Sequence, residues 1–269
     1  MRKSIFITGG ASGIGRAIAQ RFAAEGWFVG LADLNVAGMA ETQALLPAGM
    51  SAAYRLDVID APAWDTVLAE FAATAGRIDV MANNAGLPAG GPLREITVEE
   101  LDRLIDVNLK GVFYGAMAAY PHLKAAAPGS ALINTASAAA LYGMANQSVY
   151  GATKAGVKSL TESLEAEWAD EGIRVRSLMP SFIDTPLLMN PPNRSRNTPI
   201  RDAVVAAGLE FTPVEFVAFE AWRSIHEDKV HRIIGKTAKK MRRVAKWMPN
   251  LLRKRARLLA EAHDSSEGR

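Results

Sequence analysis

The sequence predicts an α/β fold, a doubly wound parallel sheet with helices on both faces, followed by a basic helical extension at the C-terminus. Three observations lead there. Short apolar runs of β type alternate with longer segments of helical spacing through most of the 269 residues, which is the pattern of repeated parallel βα units. A glycine-rich loop, Thr8-Gly9-Gly10-Ala11-Ser12-Gly13-Ile14-Gly15, stands between the first apolar run and the first helical segment. The charge is also divided unevenly. Residues 229–260 hold twelve Lys and Arg and no Asp or Glu, so the remainder has nineteen basic residues against twenty-eight acidic ones, a net of −9. An acidic body carries a basic tail.

The elements follow in order. Ser4–Thr8 is apolar and runs into glycines, so it reads as a buried strand. Residues 14–24 place Ile14, Ile18 and Phe22 at helical intervals. Strands are expected at 27–32 and 50–56, and a helix at 63–73 with Trp64, Val67, Leu68 and Phe71 on one face. A fourth strand at 78–82 precedes a long helix at 101–119. A fifth strand, Ala131–Thr135, precedes a helix at 149–168 and a sixth strand at 175–179. Residues 186–199 have the Pro, Asn, Ser and Arg content of a loop, placed to lie over a ligand crevice. A helix at 215–225 and a short strand at 232–234 complete a single unit over residues 1–235. The extension is 236–269, where Val244, Trp247, Met248, Leu251, Leu252, Leu258 and Leu259 recur at helical intervals among cations and Pro249 marks a break.

Composition removes several classes of function. There is no cysteine, which excludes disulfides, thiolate metal sites and cysteine nucleophiles. The four histidines (122, 226, 231 and 263) show no ligand spacing, so no metal is expected. The N-terminal apolar stretch is too short for a signal peptide, and no stretch approaches the roughly eighteen apolar residues of a membrane span. A cytoplasmic protein is expected. The tail leaves three readings open: packing within the protein or an oligomer, contact with an anionic membrane surface, or, with no recognition motif to support it, nucleic-acid binding.

The glycine loop lets a pyrophosphate approach the N-terminus of the first helix, where free N–H groups and the helix dipole favour anions. Asp33 ends the second strand, eighteen residues beyond Gly15. An acid there accepts hydrogen bonds from ribose hydroxyls and repels a 2′-phosphate. Ser12 and Leu34 offer that phosphate no cation, so NAD is preferred over NADP.

At these residues the sequence resembles the short-chain dehydrogenase/reductase (SDR) family. Thr8 to Gly15 match its TGxxxGxG signature. Further matches follow in family order: Asp57-Val58 after the third strand, Asn83-Asn84-Ala85-Gly86 as NNAG, Asn108 as the helix asparagine, Ser137 thirteen residues before Tyr150, Tyr150-Gly151-Ala152-Thr153-Lys154 as YxxxK, and Pro180 to Thr185 as PGxxxT with Ser181 in place of glycine.

The resemblance implies a single-domain Rossmann fold and an oxidoreductase that moves a hydride between a nicotinamide and an alcohol/ketone pair. It implies a cofactor site of Gly9, Ser12, Gly13, Ile14, Gly15, Asp33, Leu34, Asp57, Val58, Asn84, Tyr150, Lys154, Ile183 and Thr185, the last two holding the carboxamide. It makes Tyr150 the general acid/base. Free tyrosine titrates near ~10, and Lys154, four residues on and on the same helical face, lowers that value and binds the nicotinamide ribose. Ser137 donates a hydrogen bond to the substrate oxygen. Asn108 positions a water that links Lys154 to solvent. The positions facing substrate are Leu87, Leu141, Met144, Phe182 and Leu187, which suits a hydrophobic secondary alcohol or ketone. A homodimer or homotetramer is expected. Two other readings stand beside this one: an NADPH-dependent carbonyl reductase of the same family, and a non-catalytic dinucleotide-binding sensor or scaffold.

Overall fold

The computed structural model of the protein describes residues 2–193, 198–254 and 256. Strands β1 (Ser4–Thr8), β2 (Phe28–Asp33), β3 (Ser51–Arg55), β4 (Val80–Asn83), β5 (Ala131–Thr135), β6 (Arg174–Pro180) and β7 (His231–Ile234) form one parallel sheet. Their order is β3-β2-β1-β4-β5-β6-β7. The helices are α1 (Gly13–Ala24), α2 (Val36–Ala44), α3 (Ala61–Ala75), α4 (Val98–Ile105), α5 (Gly111–Ala126), α6 (Ser148–Trp168), α7 (Ile200–Ala206), α8 (Val214–Ser224) and α9 (Lys236–Trp247). The expected doubly wound sheet is present.

Both faces of the sheet are covered, which is why the central strands β1 and β4 are buried along their length rather than alternating, whereas the edge strands β3 and β7 are only partly buried. On one face Ile5 and Ile7 of β1 join Ile18 and Phe22 of α1 and Val217 and Ala221 of α8 in one core. Phe6, between them in sequence, points the other way and meets Trp64, Leu68 and Phe71 of α3 and Leu123 of α5. Gly30 of β2 fits beneath that aromatic layer, because a Cβ there would lie 2.6 Å from Phe6 and 2.7 Å from Phe71.

Three sequence expectations are refined. Helix α2 was not expected; its short segment has weak periodicity, and it is started by Asn35, whose side chain accepts the Gly38 N–H. The expected helix at 101–119 spans α4 and α5, joined by a turn of π-helix at Asp106–Lys110. The loop expected at 186–199 contains a short 3₁₀ turn, Pro186–Met189, and its residues 194–197 lie outside the described residues.

The tail breaks where Pro249 predicts. Helix α9 ends at Trp247 and the chain is helical again over 249–254. The single apolar stripe expected there is divided. Ala238 and Leu252 are buried, whereas Trp247 is 74% exposed, Met248 55% and Leu251 38%. Leu258, Leu259 and residues 263–269 lie outside the described residues. No helix among the described residues is long and apolar enough to cross a membrane.

Trp64 is the largest side chain sealed in the second core, and its indole N–H donates to the Val58 carbonyl at 3.0 Å. Trp64→Ala should cost roughly 3–5 kcal/mol through lost transfer energy and an unfilled cavity. Urea unfolding would show this as a lower midpoint at unchanged slope, and a loss under about 1 kcal/mol would contradict the packing described.

Candidate active site

The strand order reverses between β1 and β4, and in such sheets the crevice lies beyond the carboxyl ends of the strands at that point. Three strand ends are tied together there. The Thr8 hydroxyl accepts the backbone N–H of Asn84 at 3.0 Å and of Ala85 at 3.1 Å. The Asn84 amide donates back to the Thr8 carbonyl at 3.0 Å, and the Thr135 hydroxyl donates to the Asn84 side-chain oxygen at 3.2 Å. Asn84 is thus the pin between β1, β4 and β5.

The glycine loop is drawn against this pin. Gly9 and Gly13 take positive φ of 68° and 52°. A Cβ on Gly15 would collide with the Gly9 carbonyl and stand 2.8 Å from the Asn84 amide nitrogen, so residue 15 must be glycine for α1 to start here. Ser12 precedes α1 in extended backbone and its side chain does not cap the helix. The first turn therefore presents uncapped N–H groups, beside Ile14, at the mouth of the crevice. This cradle, open only because it lacks Cβ atoms, suits a pyrophosphate.

Asp33, at the end of β2, is held toward the loop. One carboxylate oxygen accepts the Ala11 N–H at 3.1 Å and the other the Asn35 N–H at 2.9 Å. Leu34 beside it is half exposed. Asp57 is half-buried and accepts the Ile59 N–H, while Val58 is buried against Gly111. From the far side, Ile183 is buried and bridges to Thr212, and Thr185 sits over Gly13, where an added Cβ would meet its methyl at 3.3 Å. Of the residues predicted to line a dinucleotide, Gly13 meets Thr185, Gly15 meets Asn84, and Asp33 is bonded to Ala11 of the same loop.

Four polar residues converge beyond β4 and β5. Ser137 follows β5 and its hydroxyl accepts the Ala139 N–H at 3.2 Å; the same side chain stands beside Tyr150 and lowers the pKa of its phenol. The Lys154 ammonium is buried, donates to the Thr135 carbonyl at 2.8 Å, and lies 5.8 Å from the centre of the Tyr150 ring. Asn108, wholly buried in the π-turn, clasps Leu87 from both sides: its side-chain oxygen accepts the Leu87 N–H at 2.7 Å and its amide donates to the Leu87 carbonyl at 2.9 Å. A Cβ on Gly86 would stand 3.2 Å from that oxygen and 3.5 Å from the Lys154 nitrogen, so Asn108 and Lys154 are neighbours across a glycine.

The titrations differ from the sequence expectation. Burial pushes the Tyr150 phenol above its ordinary value, and the Ser137 hydrogen bond draws it partly back. Burial lowers Lys154 itself to about 8.

Loops from three strands meet over the site. The Gly91 N–H donates to the Asn146 carbonyl at 2.7 Å, the Gly90 N–H to the Pro192 carbonyl at 3.0 Å, and the Asn193 amide to the Gly90 carbonyl at 2.9 Å. Leu87, Met144, Phe182 and Leu187 are half-buried in these loops. Leu141, expected to face substrate, is placed elsewhere: it packs with Val112, Val157 and Met179 and lines a cavity against α9. Sequence reasoning gave no role to Thr135, whose backbone carbonyl orients Lys154. A carbonyl leaves no mark in residue type. It also missed Arg16, whose guanidinium donates to the Ala11 and Gly38 carbonyls and pairs with Glu41 at 2.8 Å.

The Lys154 value sets a stability test. The unfolded chain holds this proton up to about 10.5 and the folded one to about 8, so between those values the unfolded state binds more protons and stability rises with pH. Below 8 the cost of burying the charge is fully present. Lys154→Met should therefore raise Tm at pH 7, with the gain over wild type shrinking as pH climbs from 8 to 10.5. A gain that stays constant over that range would assign the effect to packing rather than charge.

Comparison with known proteins agrees with this geometry. Residues 3–195 match the short chain dehydrogenase family. The meso-2,3-butanediol dehydrogenase of Serratia marcescens is 33% identical over 220 residues, 82% of this chain and 86% of that one. The crystal structure of levodione reductase superposes with a TM-score of 0.78 at 29% identity, over 88% of this chain and 98% of that one. A short chain dehydrogenase/reductase from Burkholderia phymatum in complex with NAD gives 0.77 at 28% identity, covering 86% and 88%. From the sheet order, the glycine cradle and these matches together, the chain belongs to the short-chain dehydrogenase family, oxidoreductases that act on alcohols and ketones with NAD(P).

Proposed function

We propose that the protein is an NAD(H)-preferring oxidoreductase that interconverts a hydrophobic secondary alcohol and its ketone, with Tyr150 as general acid/base. The observation that carries the reading is the convergence of Ser137, Tyr150 and Lys154: a phenol beside a serine that lowers its pKa, with a buried ammonium 5.8 Å from its ring. The nicotinamide, when bound, supplies the hydride chemistry. In reduction the Tyr150 hydroxyl delivers its proton to the substrate oxygen, and in oxidation the phenolate takes it back. Burial keeps Tyr150 protonated, primed as an acid, while the Lys154 charge and the Ser137 hydroxyl stabilise the phenolate as it forms. Ser137 also holds the substrate oxygen against the phenol.

Asn108 is a positioning residue. By clasping both backbone groups of Leu87 it fixes the loop after β4 and sets its own amide beside Lys154. The half-buried apolar side chains of Leu87, Met144, Phe182 and Leu187 favour a substrate without charge at its centre. The names of the butanediol dehydrogenase and the levodione reductase support a secondary alcohol or ketone.

The preference for NAD rests on Asp33, whose carboxylate is fixed by two backbone N–H groups beside the glycine loop. A 2′-phosphate would meet that charge undiluted. Arg16 does not offset it, since its guanidinium is engaged by two carbonyls and Glu41.

A panel of secondary alcohols and ketones, followed by NADH absorbance, tests the reading. On the best substrate Tyr150→Phe should lower kcat by ~100-fold or more with NAD binding nearly unchanged, since a positioned acid/base contributes about that much. Residual activity within about tenfold of wild type would remove Tyr150 from the role. Asp33→Ala should shift the ratio of kcat/KM for NADP over NAD upward by roughly tenfold, about 1.4 kcal/mol; an unchanged ratio would show that the carboxylate does not reach the ribose.

A further inference from the structure

Away from the crevice, a cavity of about 820 Å³ opens between α9 and the β7 edge of the sheet. Leu141, Met179, Phe216 and Ile233 supply the apolar part of its lining. Lys239, Arg242, Arg243 and Lys246 of α9 also line it, and none of them is in an ion pair among the described residues. Glu220 is the carboxylate in the lining, and it is already engaged by Arg223 at 2.9 Å and Arg232 at 3.5 Å. Arg232, 4% exposed, also lines the cavity and keeps its Nε buried without a hydrogen-bond partner.

We infer that this cavity binds a small amphiphilic phosphate, its apolar body on the apolar lining and its multiply charged head against α9. Of these four cations, Lys239 and Lys246 each stand three and four residues from Arg242 and Arg243, so these pairs repel along the helix by a few tenths of a kcal/mol. Residues 229–260 hold no acid, so no carboxylate within that stretch relieves the repulsion. A phosphate head does so, and its several oxygens suit the fork of two arginines. The apolar lining supplies the remaining contact by removing hydrocarbon from water.

Calorimetric titration of the full-length protein tests this with three soluble probes: dihexanoyl phosphatidic acid below its micelle concentration, the phosphatidylcholine of the same chains, and inorganic pyrophosphate. The phosphatidic acid should bind one to one, at least tenfold more tightly than the zwitterionic lipid. Arg242→Gln with Arg243→Gln should weaken it tenfold or more, as should Lys239→Gln with Lys246→Gln. Removing two charges elsewhere, Arg55→Gln with Arg103→Gln, should not. Phe216→Ala should weaken the phosphatidic acid but leave pyrophosphate unchanged. Variants are compared only where Tm shows them folded, and two independent pairs guard against loss of one. Three results overturn the proposal: no binding of phosphatidic acid or pyrophosphate at millimolar concentration, equal loss in the α9 and control variants, or displacement by NAD, which would place the ligand in the dinucleotide crevice. Sedimentation with phosphatidylglycerol vesicles separates the two sources of phosphate. Retention on vesicles without binding of the soluble lipid would make α9 a membrane surface and the cavity irrelevant.

Discussion

The site is organised around the hydrogen bonds between Thr8 and Asn84. A parallel sheet gives its strands no direct link at their carboxyl ends, where the chain leaves for helices on opposite faces. Here the Thr8 hydroxyl takes two backbone N–H groups from the start of the β4 loop, and the Asn84 amide returns one bond to Thr8 and accepts one from Thr135. Each bond is worth about 1 kcal/mol net, but a partner left bare in this partly buried place costs more than the bond contributes. The glycine loop depends on that pin, because Gly15 approaches both the Gly9 carbonyl and the Asn84 amide. Once the three strand ends are fixed, the loop, the β4 segment and Thr135 hold the positions from which the remaining site residues are set.

The polar groups of the site follow from this frame by burial. Lys154 reaches its place by giving up water for a single carbonyl, which lowers its pKa to about 8 and leaves it charged in neutral solution. Tyr150 is pushed the other way by the same dry surroundings, with Ser137 as the counterweight. Asn108 obtains its place through the π-turn, where an extra residue in the turn lets its side chain meet Leu87, twenty-one residues away. A second polar column lies deeper: Asn83 donates to Asn134 at 3.0 Å and Asn134 to Thr161 at 3.1 Å, tying β4, β5 and α6 together inside an apolar layer. The Asn83 amide nitrogen is satisfied by Asn134 and the Val112 carbonyl, while its side-chain oxygen is buried without a partner; the bonds that are made fix register as well as contributing stability.

The C-terminal extension is neither a free arm nor a plain core helix. Ala238 and Leu252 are sealed, and the Tyr142 hydroxyl lies 3.5 Å from the Pro249 carbonyl, so the tail touches the loop that precedes Tyr150. Its cations line a wall of the cavity, while Trp247 stays in solvent with Lys246 over its ring at 5.0 Å. The helical periodicity of the tail was legible as a sequence pattern. The division of its apolar residues between core and solvent was not, since the 3.6-residue period says only that a face exists and not which partner covers it.

What the sequence by itself determined about this protein is most of its elements, the class of fold and the residues proposed for the site. Apolar runs fully buried in a parallel sheet, a glycine loop whose backbone demands glycine, and a tyrosine and lysine one helical turn apart are local facts, and local facts can be read in one dimension. The tertiary structure decided the rest. It split the expected helix at 101–119 with a π-turn, because Asn108 bonds to a distant backbone that periodicity cannot see. It formed α2 over a segment with weak periodicity, where Gly38 allows the helix to approach Ala11. It moved Leu141 from the expected substrate wall to the cavity beneath α9. It turned Lys154 to the carbonyl of Thr135 and set the pKa of Tyr150 by burial, since a charge's energy depends on how much water surrounds it, and that quantity exists only after the chain has folded.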